Sequence, residues 1–195
     1  MTPTRIYPDD RSGPFPSPPT TIDDREGRTI EVRAADDLTA ELEDVVVMYD
    51  EFDPSDRAQG IPPTGEKRIR DWLETIAEES VNVIARHDGT VIAHATLVPD
   101  VDEPAAIEER NEIEWELAIF VLQAYQRAGI GTQLLEHLLG HASDVGIERV
   151  WLTVERWNNP AIALYERVGF EATGSESFEQ EMAIVLEGED GDGSG

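Results

Sequence analysis

The chain has 195 residues, with 42 Asp and Glu against 15 Lys and Arg, a net charge of −27, and no cysteine. At roughly 150 residues per domain this is one domain with appendages. The charge argues against nucleic-acid binding, which needs clustered cations, and against an anionic membrane surface; the missing cysteine removes disulfides, zinc–thiolate sites and a thiol nucleophile. Residues 1–28 carry six of the twelve prolines without periodicity and read as a flexible, disordered arm. Thr29 to Arg33 alternates like a short strand, and Asp37 is placed to cap a helix from about Leu38 to Phe52. A Pro- and Asp-rich loop, Asp53 to Gly65, leads to a second helix from about Glu66 to Glu79. Val81 to Arg86 and Thr90 to Val98 alternate around His87-Asp88-Gly89, whose Asp-Gly pair suits a hairpin turn. After an acidic loop at 99–111, Glu112 to Val121 reads as a long strand. Gly129 to Ser143 has helical apolar spacing at Ile130, Leu134, Leu135, Leu138 and Leu139. Arg149 to Val154 is strand-like, Asn158 to Arg167 is a short helix, and one or two strands follow, the clearer being Gln180 to Leu186. Residues 188–195 read as a disordered acidic tail. The order predicts an α/β fold with a mixed, mostly antiparallel sheet of 6–7 strands, about four helices and a single domain over 29–187.

Hydrophobic residues, 39% of the chain, fall in periodic blocks, so a core can form despite the charge. The longest apolar run, Leu117 to Leu122, is six residues, against the roughly 20 a membrane span needs. The first 20 residues lack a secretory signal pattern. A soluble cytoplasmic protein is the expectation. Lys67 is the only lysine, and the other fourteen basic residues are Arg. A surface rich in Asp and Glu and nearly stripped of Lys resembles proteins of salt-accumulating halophiles, where acidity is adaptation to solvent. The alternative, that the acidity selects a cationic ligand, requires acids gathered in one cleft.

The chemistry concentrates in Glu116 to Thr132, where a strand runs into Gln126-Arg127-Ala128-Gly129-Ile130-Gly131-Thr132 and then a helix. Glycine lets a ligand approach the backbone, and the helix start offers unpaired N–H groups and a positive dipole end. Together these make a pyrophosphate cradle. A P-loop is excluded because Lys67 lies far from the glycines. A dinucleotide fingerprint fails at Leu134, where a third glycine is required, and on the eight residues between Val121 and Gly129, where that turn is tight.

Ile119-Phe120-Val121, Tyr125 to Thr132 and Leu134-Leu135 resemble the acetyl-CoA signature of GNAT N-acetyltransferases. Downstream, Asn158-Asn159-Pro160-Ala161-Ile162-Ala163-Leu164-Tyr165 with Gly169-Phe170 is similar to that family's second motif. The resemblance covers about Thr29 to Glu187; Gln123 departs from it, since the family often has proline there. It implies acetyl-CoA as cosubstrate and no metal. Phe120 and Val121 would offer backbone groups to the pantetheine arm, and the amides of Gln126, Arg127, Ala128, Gly129, Ile130 and Gly131, with Thr132, would hold the pyrophosphate. Asn158 would bond the pantetheine region, and Tyr165 would protonate the leaving thiolate.

Without cysteine, a cysteinyl acyl-enzyme is excluded, so an amine must attack the thioester directly in a ternary complex. Positioning supplies most of the acceleration, and acid–base help adds about 10²–10⁴-fold. Strand alternation places Glu114, Glu116, Ala118 and Phe120 on one face, which makes Glu116 the candidate base, with Glu114 its deputy and a general abundance of surface Glu the competing explanation. His137 and His141, four apart on a helix, lack a third metal ligand and read as boundary residues. Trp72, Trp115, Trp151 and Trp157 read as core or rim. The loop Phe52 to Arg57 and the run Trp115 to Ile119 loosely resemble the catalytic domains of Pat-type protein lysine acetyltransferases. The acceptor expected is a protein lysine or N-terminal amine, with a polyamine, amino acid or antibiotic next. The competing class is a non-catalytic acyl-CoA-binding module. A homodimer is compatible with the sequence, which does not set oligomeric state.

Overall fold

The computed structural model describes residues 5–56, 61–102, 109–176 and 178–188. Arg57 and the centre of the acidic loop therefore lie outside the described residues, as does the tail from 189. Eight strands form one sheet, where 6–7 were expected: β1 (Thr20–Asp23), β2 (Thr29–Ala34), β3 (Val81–His87), β4 (Thr90–Pro99), β5 (Glu114–Val121), β6 (Arg149–Glu155), β7 (Glu171–Glu176) and β8 (Glu179–Val185), in the order β1-β2-β3-β4-β5-β6-β8-β7. Every neighbouring pair is antiparallel except β5 and β6. The four main helices are α1 (Leu42–Asp50), α2 (Glu66–Ala77), α3 (Ile130–Asp144) and α4 (Asn159–Val168).

Local chemistry sets these boundaries. Asp37 Oδ1 accepts the Thr39 N–H at 3.1 Å, starting a tight turn over Leu38–Glu41 that relaxes into α1. Asp88 and Gly89, with φ of 49° and 82°, make the β3–β4 turn that the Asp-Gly pair predicts. Asn158 caps α4, its side chain accepting from the Ala161 N–H, and Gly169 ends that helix with φ 121°. Strand β4 is buried from Val91 to Leu97 because helices cover both faces. On one face Phe120 meets Tyr49 of α1 and Trp72 of α2; on the other, Val121 lies beside Gly131 of α3 and Leu164 of α4.

The proline-rich N-terminal segment is a strap, not a flexible arm. Ser12 pairs with Leu186, its N–H donating to the Val185 carbonyl at 2.8 Å and its carbonyl accepting from Glu187 at 3.0 Å. The chain then crosses α3 at Gly140, where the Pro16 carbonyl sits in the space a side chain would fill. It ends as β1, pairing Thr20–Asp23 with Thr29–Val32 and supplying the extra strand. Proline carries no backbone N–H, so such a segment can lie against a helix without leaving donors unsatisfied.

Candidate active site

Strands β5 and β6 pair only from Glu114–Arg149 to Glu116–Trp151 and then part. Backbone groups alternate direction along a strand. The Glu114 carbonyl accepts from Asp100 and the Leu122 N–H donates to Ile92, both on the β4 side. Even-numbered residues of β5 therefore turn their backbone toward β4, and Leu117, Ile119 and Val121 turn theirs into the opening. Phe120, expected to face a pantetheine arm with its backbone, instead points its N–H and C=O at β4. Its ring joins an aromatic wall with Tyr49, Phe52 and Trp72, at centroid distances of 5.4, 5.8 and 6.2 Å. Val121 keeps its place at the opening, although its carbonyl already accepts from Gln126 Nε2 at 3.0 Å.

Gly129 adopts φ 88° as the N-cap of α3, a left-handed conformation that favours glycine. The amides of Ile130, Gly131 and Thr132 open the helix and have no carbonyl one turn earlier to bond. Gln126 drops out of the set of free donors, because its N–H is bonded to the Gln123 carbonyl at 3.2 Å. Its side chain spans Val121 and Asp56 instead. Arg127 is exposed with φ 60°, and Ala128 is buried with its carbonyl accepting from Arg25 N–H at 3.0 Å. Gly131 approaches α4: a Cβ there would lie 3.7 Å from Leu164 Cδ2.

Beside this turn lies a cavity of about 680 Å³, lined by Arg25, Gly129, Thr132, Gln133 and Arg167 together with Ile22, Asp23, Asp24 and Ala128. Its two acids are engaged: Asp24 takes Arg28 Nε at 2.7 Å, and Asp23 accepts the Thr29 hydroxyl at 3.1 Å. Arg25 and Arg167 form no ion pair with any described residue, although acids outnumber bases 42 to 15. Orphan helix amides, a left-handed glycine and two unpaired arginines fit a pyrophosphate-bearing ligand. Sequence reasoning missed Arg25. An arginine directly following two aspartates gives no sign of reaching a glycine turn about a hundred positions later.

Glu116 is the last β5 residue paired with β6, at the floor of the opening. It is exposed to solvent, but the protein on its inner side desolvates it in part and raises its pKa; Asp100 adds to the rise and Arg5 opposes it. Glu114, its deputy, is engaged by the Arg5 guanidinium. Tyr165, on α4, is 9% exposed, packs against Phe170 at 5.7 Å, and has its pKa pushed up to about 12 by burial. The phenol is therefore protonated across the working range. Asn158 spends its Oδ1 on the helix cap at 3.3 Å.

The remaining candidates take structural places. His137 Nδ1 bonds the Gln133 carbonyl at 2.6 Å and His141 Nε2 pairs with Asp36 at 2.9 Å. Trp115 is fully buried with Nε1 donating to the Arg110 carbonyl, whereas Trp157 is 60% exposed. Alternation gave no hint of the buried chain behind Phe120: the Tyr49 hydroxyl bonds His94 Nδ1 at 2.7 Å, and His94 Nε2 bonds Asn82 Oδ1 at 2.8 Å. Burial drives the His94 pKa down to about 3.

The acetyltransferase (GNAT) family model matches residues 38–170. An uncharacterized N-acetyltransferase of Mycobacterium tuberculosis is 30% identical over 94 residues, 48% of this chain and 54% of that protein. The spermine/spermidine N(1)-acetyltransferase of Bacillus subtilis is 30% identical over 104 residues, 52% of this chain and 66% of that one. The chain thus spans little more than half the length of the first relative and under two thirds of the second. Among solved structures, the GNAT domain of S. lividans PAT superposes with a TM-score of 0.72 at 21% identity, covering 86% of this chain and 97% of that one. At that identity the likeness establishes the shared fold.

Proposed function

This chain belongs to the acetyltransferase (GNAT) family, and on that premise we propose that it transfers acetyl from acetyl-CoA to a primary amine by direct attack in a ternary complex. The observation that carries this reading is the parting of β5 from β6 just beyond Glu116, with the Gly129-capped helix start at the far end of the same opening. Backbone groups of Ile119 and Val121 would hold the pantetheine arm, and the amides of Ile130 to Thr132 the pyrophosphate.

In the reaction the amine nitrogen bonds the thioester carbonyl carbon, and the C–S bond breaks. The amine proton goes to Glu116, directly or through water. A carboxylate with a raised pKa is a stronger base than an ordinary one. The departing thiolate receives a hydrogen bond or proton from Tyr165, whose buried phenol stays protonated.

The acceptor favoured is a protein lysine or N-terminal amine; similarity to a spermine/spermidine N(1)-acetyltransferase supports a polyamine as the second reading. A binding module without turnover is the competing class, and the presence of Glu116 on β5 and of Tyr165 on α4 speaks against it. The scarcity of lysine and the excess of carboxylates support a halophile-type protein working in a salt-rich cytoplasm. Thiol release from acetyl-CoA in molar KCl, with a panel of amines and a lysine-bearing protein, tests the activity. Amine-dependent release that falls in Tyr165→Phe, with acetyl-CoA affinity nearly unchanged by calorimetry, is expected. Equal turnover in the two proteins removes Tyr165 from the mechanism. Failure of acetyl-CoA to bind overturns the reading.

A further inference from the structure

Arg5, near the start of the strap, is inserted on the same sheet face as Glu116. Its guanidinium carbon lies 3.5 Å from the Trp151 ring centroid, a stacking distance. One terminal nitrogen contacts Glu114 and reaches Asp100 at 3.4 Å, and Nε lies 3.1 Å from Glu181. The side chain is only 11% exposed. An indole platform with carboxylates around its rim is the usual chemistry for holding a guanidinium. Trp151 stands opposite Glu116 in the β5–β6 register and Glu114 is two residues from it on the same face, so the cage adjoins the candidate base.

The strap's tip is held differently from the rest of it. Among the described residues, backbone hydrogen bonds from the strap to the domain begin at Ser12; the chain before it is attached by side chains. Ile6 is 68% exposed, and Tyr7 is held by its side chain beside Arg5 and Glu114. The tip can therefore leave while Ser12, Pro16 and β1 stay in place.

We propose that Trp151, Glu114, Glu181 and Asp100 form a guanidinium subsite of the acceptor groove, filled at rest by Arg5, and that the acceptor is a peptide carrying an arginine close to the amine that is acetylated. The second half rests on the acetyl-transfer reading; the cage itself does not. Arg5 then competes with the acceptor's arginine for one site, and removing it exposes the cage.

The test uses the full chain and its Arg5→Ala variant, titrated by calorimetry at low ionic strength with N-acetyl-arginine amide and, as the uncharged isostere, N-acetyl-citrulline amide. The wild-type protein should show no preference. Arg5→Ala should bind the arginine compound at least tenfold more tightly than the citrulline one, and adding Glu114→Gln should abolish that preference. Should Arg5→Ala not fold, Arg5→Gln, which keeps part of the side chain but removes the competing guanidinium, serves in its place. In the acetylation assay, KM for a lysine peptide with a neighbouring arginine should fall at least threefold in Arg5→Ala, against no change for the peptide without arginine. A folded variant blind to the difference between arginine and citrulline overturns the cage and leaves Arg5 a structural staple. Preference in calorimetry without the KM split keeps the cage but overturns its place in acceptor recognition. A cage that binds arginine in a protein that acetylates no amine sinks the acetyl-transfer reading instead.

Discussion

Gly140→Ala is the sharpest probe of the N-terminal strap. An ideal Cβ at this position lies 2.0 Å from the Pro16 carbonyl oxygen, 2.6 Å from its carbon and 2.9 Å from the Phe15 carbonyl oxygen. All three are backbone atoms, so no side-chain rotation relieves the overlap. Helix α3 cannot yield, because Leu134, Leu135, Leu138 and Leu139 are fully buried on its other side. The strap must lift by more than an ångström. Overpacking of this kind costs about 1–3 kcal/mol, and alanine returns roughly 1 kcal/mol in helix propensity. The helix gain is common to the open and closed strap, so the overpacking cost falls whole on closure and raises the open population roughly 5- to 150-fold, while global stability changes by only about 0–2 kcal/mol. Limited trypsin digestion reads this directly at the Arg11–Ser12 bond, since Ser12 is hydrogen-bonded in the closed strap. Cleavage there should accelerate at least about fivefold while the melting temperature moves by only a few degrees. An unchanged cleavage rate with a raised melting temperature is what a bare Gly→Ala exchange in an exposed helix would give, and would refute the packing of Pro16 on Gly140.

Two further outcomes concern titrating groups. The pH profile of kcat/KM should show an acid limb displaced above the ordinary carboxylate range, because desolvation and Asp100 raise the Glu116 pKa; Glu116→Gln should lose that limb and about 10²-fold or more in turnover. An identical acid limb in the variant would assign the base elsewhere. His94 is neutral when folded, with a pKa near 3, against an ordinary value of 6.5. The unfolded chain therefore binds the extra proton between those values, and stability contributed by neutral burial is present above pH 6.5 and lost as the pH falls toward 3. Denaturant titrations should show a loss of up to about 1.4 kcal/mol per pH unit in that window relative to His94→Gln; parallel curves for the two proteins would mean that His94 is not buried as the neutral form.

The parts of the fold legible in the sequence are those whose contacts repeat with the period of the element. The apolar spacing from Ile130 to Leu139 reads as α3 because one helix face alone meets the sheet, and Asp88-Gly89 reads as a turn because both positions need positive φ. The strap was illegible for the opposite reason. Its contacts are single events between distant positions: Ser12 with Leu186, Pro16 with Gly140, Arg5 with Trp151. A proline-rich stretch has the same composition whether it is solvated or laid along a helix.

The site divides along the same line. Alternation put Glu114, Glu116 and Phe120 on one face, but side-chain and backbone directions share the period of two. Knowing which edge of β5 faces the opening requires knowing that β4, and not β6, pairs with it beyond Glu116. The sequence contains no local sign of that choice, and so the residues that turn their backbone to the opening are Ile119 and Val121, not Phe120. The turn at Gly129 is legible as a glycine-capped helix start because glycine spacing and a following helix are both local features. Its arginines are not, because Arg25 arrives from the β1–β2 turn and Arg167 from α4.

These arrangements bear on the strong acidity of the chain. A net charge of −27 opposes the approach of a polyanion such as acetyl-CoA at low salt. The protein offsets this locally, by leaving Arg25 and Arg167 unpaired at the cavity where the phosphates would bind while arginines elsewhere, such as Arg70 and Arg86, are tied to carboxylates. Selection of a cationic ligand was weighed against solvent adaptation on the condition that acids gather in one cleft. That condition is met around Glu116, where Glu114, Asp100 and Glu181 surround a single guanidinium and Asp100 helps raise the pKa of the base. The two explanations therefore concern different surfaces: solvent adaptation is a proposal about the dispersed carboxylates, and the carboxylates clustered beside the opening already surround a cation. The Arg5→Ala titration separates them, since screening by salt acts on both populations but an arginine-over-citrulline preference can come only from the cluster.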